Sequence, residues 1–379
     1  MGGKANISGT GRQRLLSLDV LRGLTVVGMI LVNSTAAMKY GAEAQVFPLL
    51  LHASWDGLAL ADLVFPGFLM MVGVAIPLAL GRTKQGGEPA DKNAILWRAA
   101  RLFLLGFIIS NLYWFADSSS GTWRLFGVLQ RIGMVYAACA LLFLACSPKV
   151  RLAILAAILV LYWPLTLLPA LDGLPNDIWV RGHNFVASFD RVLLGGGGHN
   201  YVKGPEGYDP EGLLGTLPAI AHGLIGVAIG EYLLRRSAGS ARTLALAGGG
   251  MLVGGIAWGF VFPVVKDIWS SSFVLVTCGL TTLALAGLHA WLDRDRELRG
   301  ATRAFVIFGT AFGINAIAAY ALHEFTAMVP TWDLMLVPFR ALRGPLGDPA
   351  AALVPVVLYI ALIFVCVDYL RRRQWIIRI

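Results

Sequence analysis

The stretch His52-Ala53-Ser54-Trp55-Asp56-Gly57-Leu58, continuing through Ala61-Asp62-Leu63-Val64-Phe65-Pro66, joins the first two of a long series of apolar segments. It sets an imidazole, an indole and two carboxylates beside a strongly apolar run, which points to chemistry at a bilayer surface rather than packing in a soluble core. A hydrocarbon layer about 30 Å thick needs roughly 20 apolar helical residues, because unpaired backbone groups are not tolerated there. Working outward with that ruler gives ten spans, at 17–37, 57–80, 95–115, 125–146, 150–171, 212–234, 243–264, 270–291, 304–328 and 351–370. The reading is all-α: a polytopic integral membrane protein with about ten transmembrane helices. It forms one domain over 1–379, with a long loop at 172–211 between helices five and six.

Composition agrees. Hydrophobic residues make up 57% of the chain and charged ones only 14%, with a mean hydropathy of +0.70, whereas soluble globules are about 45–50% apolar. On one side of the predicted bilayer fall Lys4, Arg12, Arg14, Arg82, Lys84, Lys92, Lys149, Arg151, Arg235, Arg236, Arg242, Arg294, Arg296, Arg299, Arg303, Arg371, Arg372, Arg373 and Arg378. They outnumber Lys39, Arg124, Arg181, Arg191, Lys203, Lys266, Arg340 and Arg343 on the other side. The positive-inside rule then places both termini in the cytoplasm, with His52 and the 172–211 loop facing outward. The net charge of +9 is explained by this asymmetry and calls for no nucleic acid. The first apolar run is followed by no small-residue cleavage site, so it reads as a retained anchor. Cys139, Cys146, Cys278 and Cys366 all lie inside predicted spans and suggest neither a disulfide framework nor a metal site. No internal repeat is evident, which counts against a transporter.

Polar groups inside spans are costly in lipid and face cavities or partners. Asp19 and Arg22 are three residues apart and share a helical face, either as a snorkelling pair or as part of a site. Arg98 and Arg101 repeat that spacing, and Arg131 lies well inside its span. Arginines converging at membrane depth would clamp the phosphates of an acyl donor; the plain alternative is anchoring. Asn33, near the outer end of the first span, either bonds a neighbouring helix or serves chemistry, and His323-Glu324 closes the ninth span on the same side. Trp55 reads as an interfacial anchor or a stacking surface for a sugar, and Trp269 presents the same choice. Asp209-Pro210-Glu211 reads as a cap for the sixth span or as carboxylates for an ammonium. Gly195-Gly196-Gly197-Gly198 follows no strand, and no phosphate-binding loop or dinucleotide fingerprint is present, so the glycines read as a flexible loop.

Several stretches, in this order, together resemble one family. They are Ser17-Leu18-Asp19-Val20-Leu21-Arg22-Gly23, the block from His52 to Pro66, Gly127-Val128-Leu129-Gln130-Arg131, Asp190-Arg191-Val192-Leu193-Leu194-Gly195 with His199, Asp209 through Thr216, and Asn315 through Glu324. The chain resembles the heparan-alpha-glucosaminide N-acetyltransferase family from Leu15 to the tail, in the form of a compact bacterial relative. The resemblance implies transfer of acetyl from cytoplasmic acetyl-CoA to an amino sugar on the outer face of a bacterial inner membrane, by a homodimer and without a metal. It places the catalytic histidine at His52 and the polar residue of the first helix at Asn33.

An imidazole with its ordinary pKa near 6.5 can remove the amine's proton or attack the thioester itself, and both routes stay open. His323 would orient His52 or carry a second proton, with Asp62 or Glu324 fixing the tautomer and Asn33 donating to the oxyanion. Arg22, Arg98, Arg101 and Arg131 are the candidate donor-binding residues. Trp55, Asp56, Asp62, His199, Asp209, Glu211 and Glu324 are the candidates for the acceptor. A sugar permease and an O-acetyltransferase of an envelope glycan are the rival readings.

Overall fold

A computed structural model describes residues 15–86, 91–195, 199–235, 240–293, 297–327 and 331–377. Gly196, Gly197, Gly198 and the charged residues Lys4, Arg12, Arg14, Arg236, Arg294, Arg296 and Arg378 lie outside the described residues. The helices in chain order are α1 (Leu16–Gly41), α2 (Ala61–Gly86), α3 (Lys92–Ser110), α4 (Leu112–Ala116), α5 (Val128–Ala145), α6 (Pro148–Thr166) and α7 (Phe185–Leu194). They continue with α8 (Thr216–Arg235), α9 (Ser240–Gly259), α10 (Ser271–Leu292), α11 (Gly300–Ile314), α12 (Ala316–Thr326), α13 (Thr331–Leu346) and α14 (Asp348–Arg372). No strand occurs among the described residues; the nearest approach is an isolated bridge between Asp56 and Val265. The protein is all-α and polytopic.

Eight helices, α1, α2, α3, α5, α6, α8, α10 and α14, are long and apolar enough to cross a membrane among the described residues. The bent pair α11 and α12 makes a ninth if counted as one span. Two of the ten expected spans therefore differ in kind. The seventh is present as the 20-residue helix α9, but its six glycines between Gly248 and Gly259 dilute its hydropathy. The ninth is not one continuous helix: it bends by 78° between α11 and α12. Asn315 sits at the break, donating from Nδ2 to the Trp375 carbonyl (3.1 Å) and accepting from the Ile377 amide (3.0 Å). An asparagine that serves other backbone in this way competes with helix continuation. Helix α13 was not foreseen, because its apolar residues are interleaved with charged ones. It lays Leu336 and Phe339 against Met38, Ala44 and the start of α14.

The main core is built around α2, α5, α8 and α10 from residues such as Leu69, Met70, Val135, Leu224, Phe273 and Cys278. A separate cluster of Trp55, Tyr162, Ile178, Tyr208 and Phe262 ties the 172–211 loop over the His52 end of the bundle. Helices α1 and α11 touch backbone to backbone. A Cβ on Gly23 would stand 1.8 Å from the Gly309 carbonyl oxygen, and one on Gly313 would stand 1.9 Å from that of Asp19. Small residues allow such an approach in membranes. Gly23→Ala should force the pair apart and cost about 1–3 kcal/mol, as overpacking does. Thermal unfolding in detergent reads this out, with Gly249→Ala as the control, since nothing lies within 4 Å of that position.

Candidate active site

His52 lies in the loop between α1 and α2, and the loop between α9 and α10 is stapled to it. The Val264 amide donates to Asp56 Oδ1 (3.0 Å) and the Gly57 amide to the Val264 carbonyl (3.0 Å). The second loop is itself tightly held: the Val265 amide donates to Ser270 Oγ, the Ser270 amide to the Val265 carbonyl, and Ser272 Oγ to the Pro263 carbonyl. Trp269 adopts a left-handed φ of 54° to close this turn. Asp56, expected to meet the acceptor, is thus a fastener between two loops.

His52 Nδ1 is 2.7 Å from Asp62 Oδ1. Asp62 is 1% exposed, and its Oδ2 accepts from the amides of Ala53 (3.1 Å) and Ala59 (3.0 Å). A carboxylate only accepts, so Nδ1 carries the proton and Nε2 keeps its lone pair. The histidine side chain is 43% exposed, so that nitrogen can be reached. Lys266 Nζ stands 3.0 Å from Nδ1, 3.1 Å from Nε2 and 3.7 Å from Asp62 Oδ1.

Asn33, His323 and Glu324 form a second group on α1 and α12. Asn33 Nδ2 donates to Glu324 Oε1 (3.0 Å), and the Tyr320 side chain bonds the same carboxyl group. His323 is 3% exposed; its Nε2 is 3.9 Å from Glu324, beyond a hydrogen bond, and its backbone carbonyl accepts from Tyr359 (2.9 Å). Of the two carboxylates weighed for the imidazole, Asp62 holds His52 and Glu324 holds Asn33.

A third group sits beneath the long loop. Arg124 makes a bidentate pair with Asp209 (2.7 and 2.6 Å) and a further ion pair with Glu211. Its own backbone is gripped by Asn111 at the end of α3. Burial raises the Glu211 carboxyl, but the charges of Arg124, Arg131 and Lys266 outweigh it and hold that group below the usual range. Burial and the Asp209 charge push the neighbouring Asp190 carboxyl up to about 7. Helix α8 begins only at Thr216, so Asp209 and Glu211 do not cap it; nor do they wait unpaired for an ammonium. His199 packs against Trp123 with the two rings tilted by 41° (centroids 4.3 Å apart) and bonds its carbonyl (2.9 Å).

Trp55 is neither an interfacial anchor nor an open stacking face. It is 8% exposed, packs edge-on against Tyr208 and donates to the Ile178 carbonyl (2.9 Å). Trp269 is likewise buried. The four candidate arginines do not converge. Arg131 is fully buried at the His52 end, donating to the Gly212 carbonyl (3.1 Å) and lying over the Trp269 ring (4.9 Å). Arg101 turns back on the Trp97 carbonyl (3.4 Å). Arg22 and Arg98 do meet, lining a cavity of about 180 Å³ at the opposite end of the bundle, with Ile376 and Ile377 of the tail at its wall. The cavity follows α2 from Leu80 up to Phe68.

Residues 14–190 match the family model described as the catalytic region of heparan-alpha-glucosaminide N-acetyltransferase. The human heparan-alpha-glucosaminide N-acetyltransferase is 29% identical over 370 residues, covering 82% of this chain and 53% of its own. The mouse protein of the same name is 29% identical over 368 residues, with the same two shares. Over these residues the chain is similar to the heparan-alpha-glucosaminide N-acetyltransferase family. It spans about half the length of the curated relatives it matches. The region matched to the heparan-alpha-glucosaminide N-acetyltransferase model contains Asn33, His52, Asp62, Arg98 and Arg131, while Lys266, His323 and Glu324 lie beyond it. Sequence reasoning missed the parts played by Arg124 and Lys266, counting both only as outer charges. Their one sequence signal is that charge is scarce on that side.

Proposed function

We propose that this chain is a transmembrane N-acetyltransferase, moving acetyl from acetyl-CoA to the amine of a glucosamine-like sugar. The observation that carries the reading is the His52–Asp62 dyad: a reachable imidazole whose tautomer is set by a buried carboxylate with every oxygen occupied. Such an imidazole has a free Nε2 lone pair, suited to take the proton of an attacking amine or to attack the thioester. The similarity to the human and mouse proteins named heparan-alpha-glucosaminide N-acetyltransferase supports N-acetyl transfer to an amino sugar.

The two ends of α2 fit opposite-sided delivery. Arg22 and Arg98, at the cavity, offer guanidinium forks for the phosphates of the donor. The lining residues Leu80 to Phe68 span about 18 Å of helix, and Asp62 lies about 9 Å farther along. In this reading the arginine end faces the cytoplasm of a bacterial inner membrane and the His52 end faces outward. Lys and Arg concentrate around the arginine end, in keeping with the positive-inside rule.

The bent α11–α12 pair is the one observation that favours a permease, because broken helices line transport sites. Proteoliposomes decide between them. A transferase releases CoA from acetyl-CoA only when glucosamine is supplied. Accumulation of labelled sugar without acetyl-CoA, with no CoA release, would sink the transferase reading. Within it, Asp62→Asn should lower kcat about 10³- to 10⁴-fold with little change in KM, because an amide no longer fixes the reactive tautomer. Initial-rate kinetics of CoA release provide the check.

A further inference from the structure

Among the described residues, Lys266 is the basic group that stands against both ring nitrogens of His52, and a set of loop hydrogen bonds puts it there. The loop carrying it is fastened to the histidine loop through Asp56, Gly57, Val264 and Val265, and is closed internally by Ser270 and Ser272. Nζ is almost equidistant from the two ring nitrogens, 3.0 Å from Nδ1 and 3.1 Å from Nε2, so the ammonium lies over the ring and leaves the in-plane Nε2 lone pair open. The groups facing this trio are few. Asp62 from α2 lies 3.7 Å from Nζ, and the Lys266 charge also reaches Glu211 and Asp267.

We propose that Lys266 is a further catalytic residue of the acetyl transfer. At rest its ammonium lies over the imidazole, beside both ring nitrogens. During transfer it donates from that place to the acetyl carbonyl oxygen and stabilises the oxyanion. This inference rests on the transferase reading above. The amine nitrogen, with its proton passing to Nε2, forms the C–N bond at the acetyl carbon while the carbonyl π pair moves onto oxygen beside Nζ. On collapse that pair returns and the C–S bond breaks. The thiolate leaves with the bonding electrons and takes the proton from the imidazolium. If the imidazole attacks first, the same oxyanion forms in the same place, once in each half of the reaction. A donor already within 3.1 Å of the reacting nitrogen is where preorganised charge acts most strongly. Asn33, expected in this role, has its amide engaged by Glu324.

The test uses the full chain in detergent, with Lys266→Met and Lys266→Arg. The first readout does not need a working transferase: the rate of carbethoxylation of His52 by diethyl pyrocarbonate at one fixed pH, followed by mass spectrometry. A cation against both ring nitrogens draws electron density from the imidazole, so the rate of carbethoxylation should shift upward several-fold in Lys266→Met and stay near wild type in Lys266→Arg. The second readout is CoA release from acetyl-CoA plus glucosamine. Lys266→Met should lose at least about 10²-fold in kcat with KM values little changed, as loss of an oxyanion donor does, and Lys266→Arg should recover part of it. An unchanged carbethoxylation rate in Lys266→Met, or wild-type kcat there, overturns the proposal. A wild type that releases no CoA while the carbethoxylation shift is present sinks the transferase reading but leaves the Lys266–His52 coupling standing.

Discussion

His52→Ala should lower acceptor-dependent CoA release by about 10⁴-fold or more, the largest activity loss expected from any single substitution in this chain. Either chemical route fails at once, since the variant has neither a proton acceptor at the amine nor a nucleophile at the thioester. KM for acetyl-CoA should hold, because the arginine-lined cavity lies at the other end of α2. Folding should survive as well. The side chain is 43% exposed, and Asp62 keeps two backbone amides and the Lys266 charge after the imidazole is gone. Initial rates and a thermal melt in detergent, taken together, separate loss of chemistry from loss of fold. Full activity in His52→Ala combined with inactivity in His323→Ala would reverse the assignment.

Arg124→Leu should be the most damaging change to stability, at about 3–5 kcal/mol, because it strands buried carboxylates without their partner. Asp209 is 2% exposed and Glu211 7% exposed, and both pair with this one guanidinium. The loss should depend on pH in a defined direction. In the wild type the Glu211 carboxyl is held below its usual range, so its contribution is present above the unfolded value near 4.3 and fades as pH falls through the lower folded value. In the variant the carboxyl binds its proton more readily folded than unfolded. The damage is then greatest at pH 8 and shrinks toward pH 5. Adding Glu211→Gln should restore part of the stability at pH 8. Arg299→Ala is the control, since its pair with Glu297 is exposed and screened. Equal melting shifts at both pH values would show that lost packing, not stranded charge, is responsible.

Much of the architecture was legible because lipid imposes a length and a polarity on every span. Nine of the ten expected spans coincide with helices that pass that test once α11 and α12 are taken together. What local pattern could not carry was anything decided by a distant partner. The bend at Asn315 depends on the backbone of Trp375 and Ile377, some sixty residues later. Trp55 looked interfacial because its indole needs a polar partner; that partner is the Ile178 carbonyl, 123 residues away. In the candidate site, the neighbourhood of His52 and Asp62 was readable because ten residues separate them. Lys266 was not, since 214 residues intervene. Arg124 stayed hidden for the same reason, 85 residues from Asp209. The arginines misled because spacing along one helix says nothing about depth relative to another.

The fastening of the Asp56 loop to the Val264–Val265 loop bears on how this site can be exchanged between relatives. The two segments behave as a single cassette written in two places along the gene. A chimera that imports only the His52 segment would present its imidazole to a foreign lysine loop in the wrong register. One that imports both should keep the two loops in register with each other.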